Sequence, residues 1–185
     1  GLGLSLTGPQ TGADWVAERV HLGSNDLSPS TRQAQIPDDT YFHAEASLAA
    51  RVMVHDQAAV RPYIGLASGV EDLAMIGFDA IWGRAGAKSM RSRDRVTGQL
   101  LFDTATRTPG VAMILGADAI YVQDTALLPD SWAGDAKTFR WRARGGLAWR
   151  GERGQIFYGL TWLSQEFDAQ PEGQMVGSVH FNWNF

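Results

Sequence analysis

The chain has 185 residues, room for one domain or one small membrane barrel, with a net charge of −4 and a pI near 5.5. That balance argues against nucleic-acid binding, which needs a basic patch, and the lack of cysteine excludes disulfides, thiolate metal sites and cysteine nucleophiles. No segment reaches the roughly 18 apolar residues of a membrane-spanning helix, while 21 glycines and 7 tryptophans point to strands, tight turns and interfacial rings.

Residues 1–7 alternate glycine and leucine and open directly as a strand, without a basic and then apolar leader. We therefore expect the chain to be the later part of a longer protein. "TGPQTGADWVAERVH" follows, and its spacing predicts a helix over about Gly12 to His21. Ala13, Val16, Ala17 and Val20 form an apolar stripe; Asp14, Glu18 and His21 form a polar one. Thr11 and Asp14 make a capping pair just after Pro9. The polar stripe reads either as a histidine base beside carboxylates able to hold a hard cation such as calcium, or as the solvated face of a loop helix. A polar linker, Leu22 to Asp39, comes next.

From there the period is two. Strands are expected at about 1–7, 41–55, 60–83, 97–105, 109–123, 137–150, 155–165 and 175–185. Gly65, Gly69 and Gly77 leave open a bend or hairpin within 60–83. Phe139, Trp141, Ala143, Gly145, Leu147 and Trp149 alternate with Arg140, Arg142, Arg144 and Arg150. Ile156, Tyr158, Leu160 and Trp162, and later Val179, Phe181, Trp183 and Phe185, repeat the apolar half.

Such strands suit a soluble barrel with apolar residues inside, or an outer-membrane barrel with apolar residues facing lipid. Paired tryptophans flanking small residues, a terminal aromatic and alternating short and long connections favour the membrane barrel. The fold class expected is all-β, an antiparallel transmembrane β-barrel of about eight strands with a short loop helix, forming a single domain over 1–185. Short turns are expected at 55–59, 105–108 and 150–154, with longer loops on the external side.

Arg140, Arg142 and Arg144 could attract phosphate, but pairing with Asp118 and Glu71 on neighbouring strands is the expectation. His43 and Glu45 are expected as an interior hydrogen-bonded pair, His55 in a turn and His180 on a polar face. Arg91, Arg93 and Arg95 fall in an expected external loop, facing lipopolysaccharide or plain solvent. No phosphate-cradling glycine loop, His-Glu-x-x-His helix or Gly-x-Ser-x-Gly elbow occurs.

"LTGPQTGADWVAERVH", the later "QIPDDTYFHAEASLAAR" and the C-terminal "QIFYGLTWLSQEFDAQPEGQMVGSVHFNWNF" resemble the LpxR family of outer-membrane lipid A deacylases. The resemblance implies part of a twelve-stranded barrel, with four strands preceding this chain, that removes the 3′-acyloxyacyl group of lipid A in a calcium-dependent reaction. It carries over His21 as the base activating water, with Gly8, Pro9 and Asp14 at the family's helix positions. Glu18 joins them by helical spacing alone. Ala17 stands where the family commonly has Gln, and Arg32 where Trp is expected. The family's Asn-Asp pair and hydroxyl residue belong to the earlier strands, and Asn25-Asp26 does not take their place. Implied partners are lipid A, lipopolysaccharide and outer-membrane lipids, with a monomeric barrel. The alternatives are a non-catalytic small outer-membrane barrel of structural, porin-like or adhesion type, and a soluble β-barrel binding module.

Overall fold

A computed structural model describes residues 2–7, 39–87, 90–102, 108–126 and 136–183. They form β1 (Leu2–Thr7), β2 (Asp39–Ala49), β3 (Val52–His55), β4 (Ala58–Ser68), β5 (Glu71–Trp82), β6 (Met90–Arg93), β7 (Leu100–Phe102), β8 (Gly110–Thr125), β9 (Phe139–Arg150), β10 (Gly154–Leu163) and β11 (Gln174–Trp183). The main sheet is antiparallel in the order β1-β2-β4-β5-β8-β9-β10-β11, with β3 also on β4. β6 and β7 pair separately as a hairpin. β1 and β11 are the two edges, and they do not pair with each other among the described residues.

β2 and β3 are one wall strand interrupted at Ala50, directly opposite Pro62 of β4. The Ala50 amide donates to the Pro62 carbonyl at 3.1 Å, and proline has no N–H to return. Counting them together, eight strands make the wall.

Two expectations are corrected. The stretch 60–83 is a hairpin, β4 and β5, reversing at Gly69–Val70, where Gly69 has φ +145° and its amide donates to Asp72. The stretch 97–105 is not a wall strand: its ordered part, β7, belongs to the separate hairpin inside the long β5–β8 connection. That connection opens at the same end as the turns at 56–57 and 151–153, so it is not on the side of the loop joining β1 to β2. The short turn at 69–70 lies on the opposite end, against the expected alternation of lengths. β11 still ends on the side of the turns at 56–57 and 151–153, as expected. No helix occurs among the described residues; the expected helix lies outside them.

Each wall strand sorts its residues between two faces, as the side-chain period of two demands. One face exposes Leu66, Ile76, Phe78, Leu115, Leu147 and Leu160, far more apolar surface than a water-facing sheet carries. Aromatic rings bound this belt. Trp82, Trp149 and Trp183 lie near one end; Tyr121, Phe139, Trp141 and Trp162 lie near the other. Trp141 and Trp149 are about 27 Å apart along β9 at ~3.4 Å per residue, or about 21 Å in height at the ~40° tilt of barrel strands, comparable to the ~25 Å lipid-facing band of outer-membrane barrels. The other face is buried. Ile81, Ala112, Ile114, Ala148 and Phe157 of the wall close over Ala85 and Leu100 of the β5–β8 connection, forming the hydrophobic core. The sheet therefore has its apolar belt outside and its β6–β7 hairpin inside.

Candidate functional site

Above that apolar layer the inner face carries a compact charged cluster. Arg144 of β9 gives Nε and Nη2 to Asp79 Oδ1 of β5 at 3.0 and 2.7 Å, and Nη1 to Asp118 Oδ2 of β8 at 2.5 Å. Arg142 donates to both oxygens of Asp118 at 2.8 and 3.2 Å, and the Tyr63 hydroxyl donates to Asp118 Oδ2 at 2.6 Å. The Arg144, Asp79 and Asp118 side chains are wholly buried. Charges this deep are tolerable only when each is paired and hydrogen-bonded, and here they are.

Inner-face glycines make the room. A Cβ at Gly116 would lie 2.5 Å from Asp79 Oδ1, and one at Gly77 2.6 Å from the Asp118 Cβ.

The β6–β7 hairpin completes the cluster. Arg93 reaches Asp79 Oδ2 at 2.5 Å and lies over the Tyr63 ring, 3.7 Å from its centroid. Arg142 Nη1 donates to the carbonyls of Arg95 and Val96. Gln99, fully buried, donates to the Leu160 carbonyl and to Thr161 Oγ1, while the Thr161 hydroxyl donates to the Thr97 carbonyl. At the tip, Asp94 accepts from the amide and the hydroxyl of Thr97 at 2.8 and 2.7 Å. Burial pushes the Asp94 carboxyl up, but these Thr97 donors and the facing His180 outweigh it and hold the acid below its usual range. Gly98, at φ +67°, supplies the left-handed residue that closes the tip.

The expected pairing of the arginine ladder is therefore borne out: Arg142 takes Asp118, and Arg140 takes Glu71 at 2.8 Å. Asp79, Tyr63 and Gln99 are the members that the pairing argument missed. Asp79 carried a signal, being a charge on the inward-alternating set of β5. The external-loop placement of Arg93 and Arg95 is corrected, since both point into the barrel, Arg93 to Asp79 and Arg95 to Glu45 at 2.6 Å. His43 Nε2 stands 3.9 Å from Glu45 Oε2, an ion-pair distance beyond hydrogen-bond reach, so the expected hydrogen bond is not formed; Arg95 occupies Glu45 instead. His55 accepts from the Gln57 amide in its turn, and His180 lies beside Phe157 on the inner face.

Gly8, Pro9, Asp14, Glu18 and His21 lie outside the described residues. They fall between Thr7 and Asp39, which pair at the end of the sheet opposite the turns at 56–57 and 151–153. Among the described residues no group of three or more His, Asp or Glu could hold a metal ion. In the buried cluster three guanidiniums, of Arg93, Arg142 and Arg144, share the two carboxylates of Asp79 and Asp118.

The family model described as outer membrane protein LpxR matches residues 1–185. Among solved structures, the fold is similar to that of LpxR from Salmonella typhimurium, with a TM-score of 0.73 at 15% identity. The match covers 100% of this chain and 66% of that one, so the chain spans just under two thirds of the length of the solved relative. No curated protein sequence matches. The lipid-facing belt is thus that of a bacterial outer-membrane wall, and the chain belongs to the LpxR family of outer-membrane proteins.

Proposed function

We propose that the protein is an outer-membrane hydrolase that removes the 3′-linked acyl or acyloxyacyl group from lipid A of lipopolysaccharide, with His21 as the base that activates water. The observation that carries this is the family match over the whole chain. Two features support it. The apolar belt holds the barrel in the bilayer where lipid A resides. The buried Arg142, Arg144, Asp79 and Asp118 are paired with one another, and residues 8–38, which carry His21, leave and return at one end of the barrel.

A histidine with a pKa near 6.5 accepts a proton from water at neutral pH, and Asp14 and Glu18, on the same stripe as His21, would hold the imidazole in place. Gly8 and Pro9 would set the start of that helix. Calcium belongs to the proposal only as a dependence to be tested. The eight wall strands would be two thirds of a twelve-stranded barrel forming one domain.

The test is purified complete protein in detergent micelles incubated with lipid A, with the released fatty acids followed by mass spectrometry, with calcium or with a chelator. Release of the 3′-linked chain is expected, and its loss on chelation. Intact lipid A after long incubation in both conditions would refute the activity.

A further inference from the structure

We propose that the β6–β7 hairpin is a plug that keeps the barrel of the complete protein closed to ions, independently of any catalytic role. The connection from Trp82 to Gly110 joins strands that are already neighbours, Trp82 pairing with Met113 across β5 and β8. A turn of a few residues would bridge them, as at 151–153. Instead the chain turns inward at Gly83, anchored by its amide on the Gln57 carbonyl, and runs up the inner face.

Its foot and its tip close the interior differently. At the foot, Ala85 and Leu100 complete an apolar layer with Ile81, Ile114 and Phe157, through which an ion would have to pass without its water. At mid-height, Arg93 is the third cation bound to the Asp79–Asp118 pair, and Gln99 lies on the wall at Gly159, where a Cβ would come 2.7 Å from its Nε2. The tip joins two sides of the sheet, with Arg95 on Glu45 of β2 and the Thr97 carbonyl accepting from Thr161 of β10. A wall position occupied by glycine cannot fill the space itself, so the hairpin supplies what the wall lacks.

The experiment is conductance across a planar lipid bilayer. The complete protein is expected to give no steady current. A variant with residues 84–108 replaced by a short Gly-Ser turn is expected to give stepwise open-channel currents. A second readout uses the absence of native cysteine in this chain. Thr97→Cys, at a buried position, is expected to react with a water-soluble maleimide at least ~10-fold more slowly than Val96→Cys, which is 69% exposed at the same tip. Steady conductance of the unaltered protein, a folded trimmed variant that stays silent, or equal labelling of the two cysteines overturns the proposal. If the trimmed variant does not fold, the labelling ratio decides alone.

Discussion

Arg144 donates two hydrogen bonds to one oxygen of Asp79, through Nε at 3.0 Å and Nη2 at 2.7 Å, with both side chains fully buried between β9 and β5. Removing the arginine would leave Asp79 and Asp118 without their shared partner. Arg93 still holds Asp79 and Arg142 still holds Asp118, so the cost is that of hydrogen bonds lost from charged groups, about 1.5–3 kcal/mol. Arg144→Met should therefore lower stability by that amount in urea unfolding of the detergent-solubilised protein. Arg144→Lys should not restore it, because a single ammonium cannot reproduce a fork with three donors in use. A change below about 1 kcal/mol would remove the cluster from the stabilising core.

The cluster also fixes which glycines are replaceable. A Cβ at Gly116 meets Asp79 and the Arg144 guanidinium at 2.5 to 2.9 Å, whereas one at Gly177 meets only Leu160 at 3.9 Å. Gly116→Ala should cost about 1–3 kcal/mol and Gly177→Ala much less, measured by the same unfolding. Equal effects would show that the inner face has slack.

The division of faces was legible because the period of two survives in β9 and β10: Trp141, Trp149, Tyr158 and Trp162 face out, and Arg140, Arg142 and Arg144 face in, as the alternation predicted. The β4–β5 reversal was not, for a definite reason. Ala67 pairs with Leu73, leaving an odd number of residues, 68–72, between them, so the reversal returns odd-numbered residues to the inner face on both strands. Tyr63 and Asp79 are both odd and both inside, and the alternation runs through the turn unbroken. Only Gly69 marked it. The inner hairpin was hidden differently: Leu100 has the apolar character of a wall residue, but it is buried against wall residues. Periodicity assigns a face and says nothing of which layer a short strand joins. The wall count of eight held because the hairpin within 60–83, left open by Gly65, Gly69 and Gly77, offset one strand too many. The proposed catalytic residues Gly8, Pro9, Asp14, Glu18 and His21 were read from pattern and resemblance, and lie outside the described residues.

Leu115 sits mid-belt on the outer face, 47% exposed, pairing with Gly145, halfway between Trp141 and Trp149. Leu115→Arg should cost about 2–4 kcal/mol in bilayers, the cost of a cation near the midplane. The measurement is unfolding in phospholipid vesicles, compared with the same variant in charged detergent. A neutral result in vesicles would mean this face does not meet lipid.

Asp94 gives the hairpin tip a dependence on pH. Its folded pKa lies below the ordinary aspartate value, so its contribution to stability is full above that value and is lost as pH falls through the folded pKa. Hydrogen exchange of the hairpin peptide, corrected for intrinsic rates, should accelerate below about pH 4. Asp94→Asn should flatten that response. Unchanged acid dependence in the variant would assign the effect to another group.

The most direct test of the central claim is mass spectrometry of lipid A from cells expressing either the complete protein or its His21→Ala variant. The unaltered protein should yield lipid A lacking the 3′-linked acyl group. The variant should reach the outer membrane folded, because loss of a general base acts on rate, by about 10²–10⁴, and its lipid A should keep that chain. Lipid A deacylated at the normal rate by His21→Ala, or left intact by the unaltered protein, would contradict it.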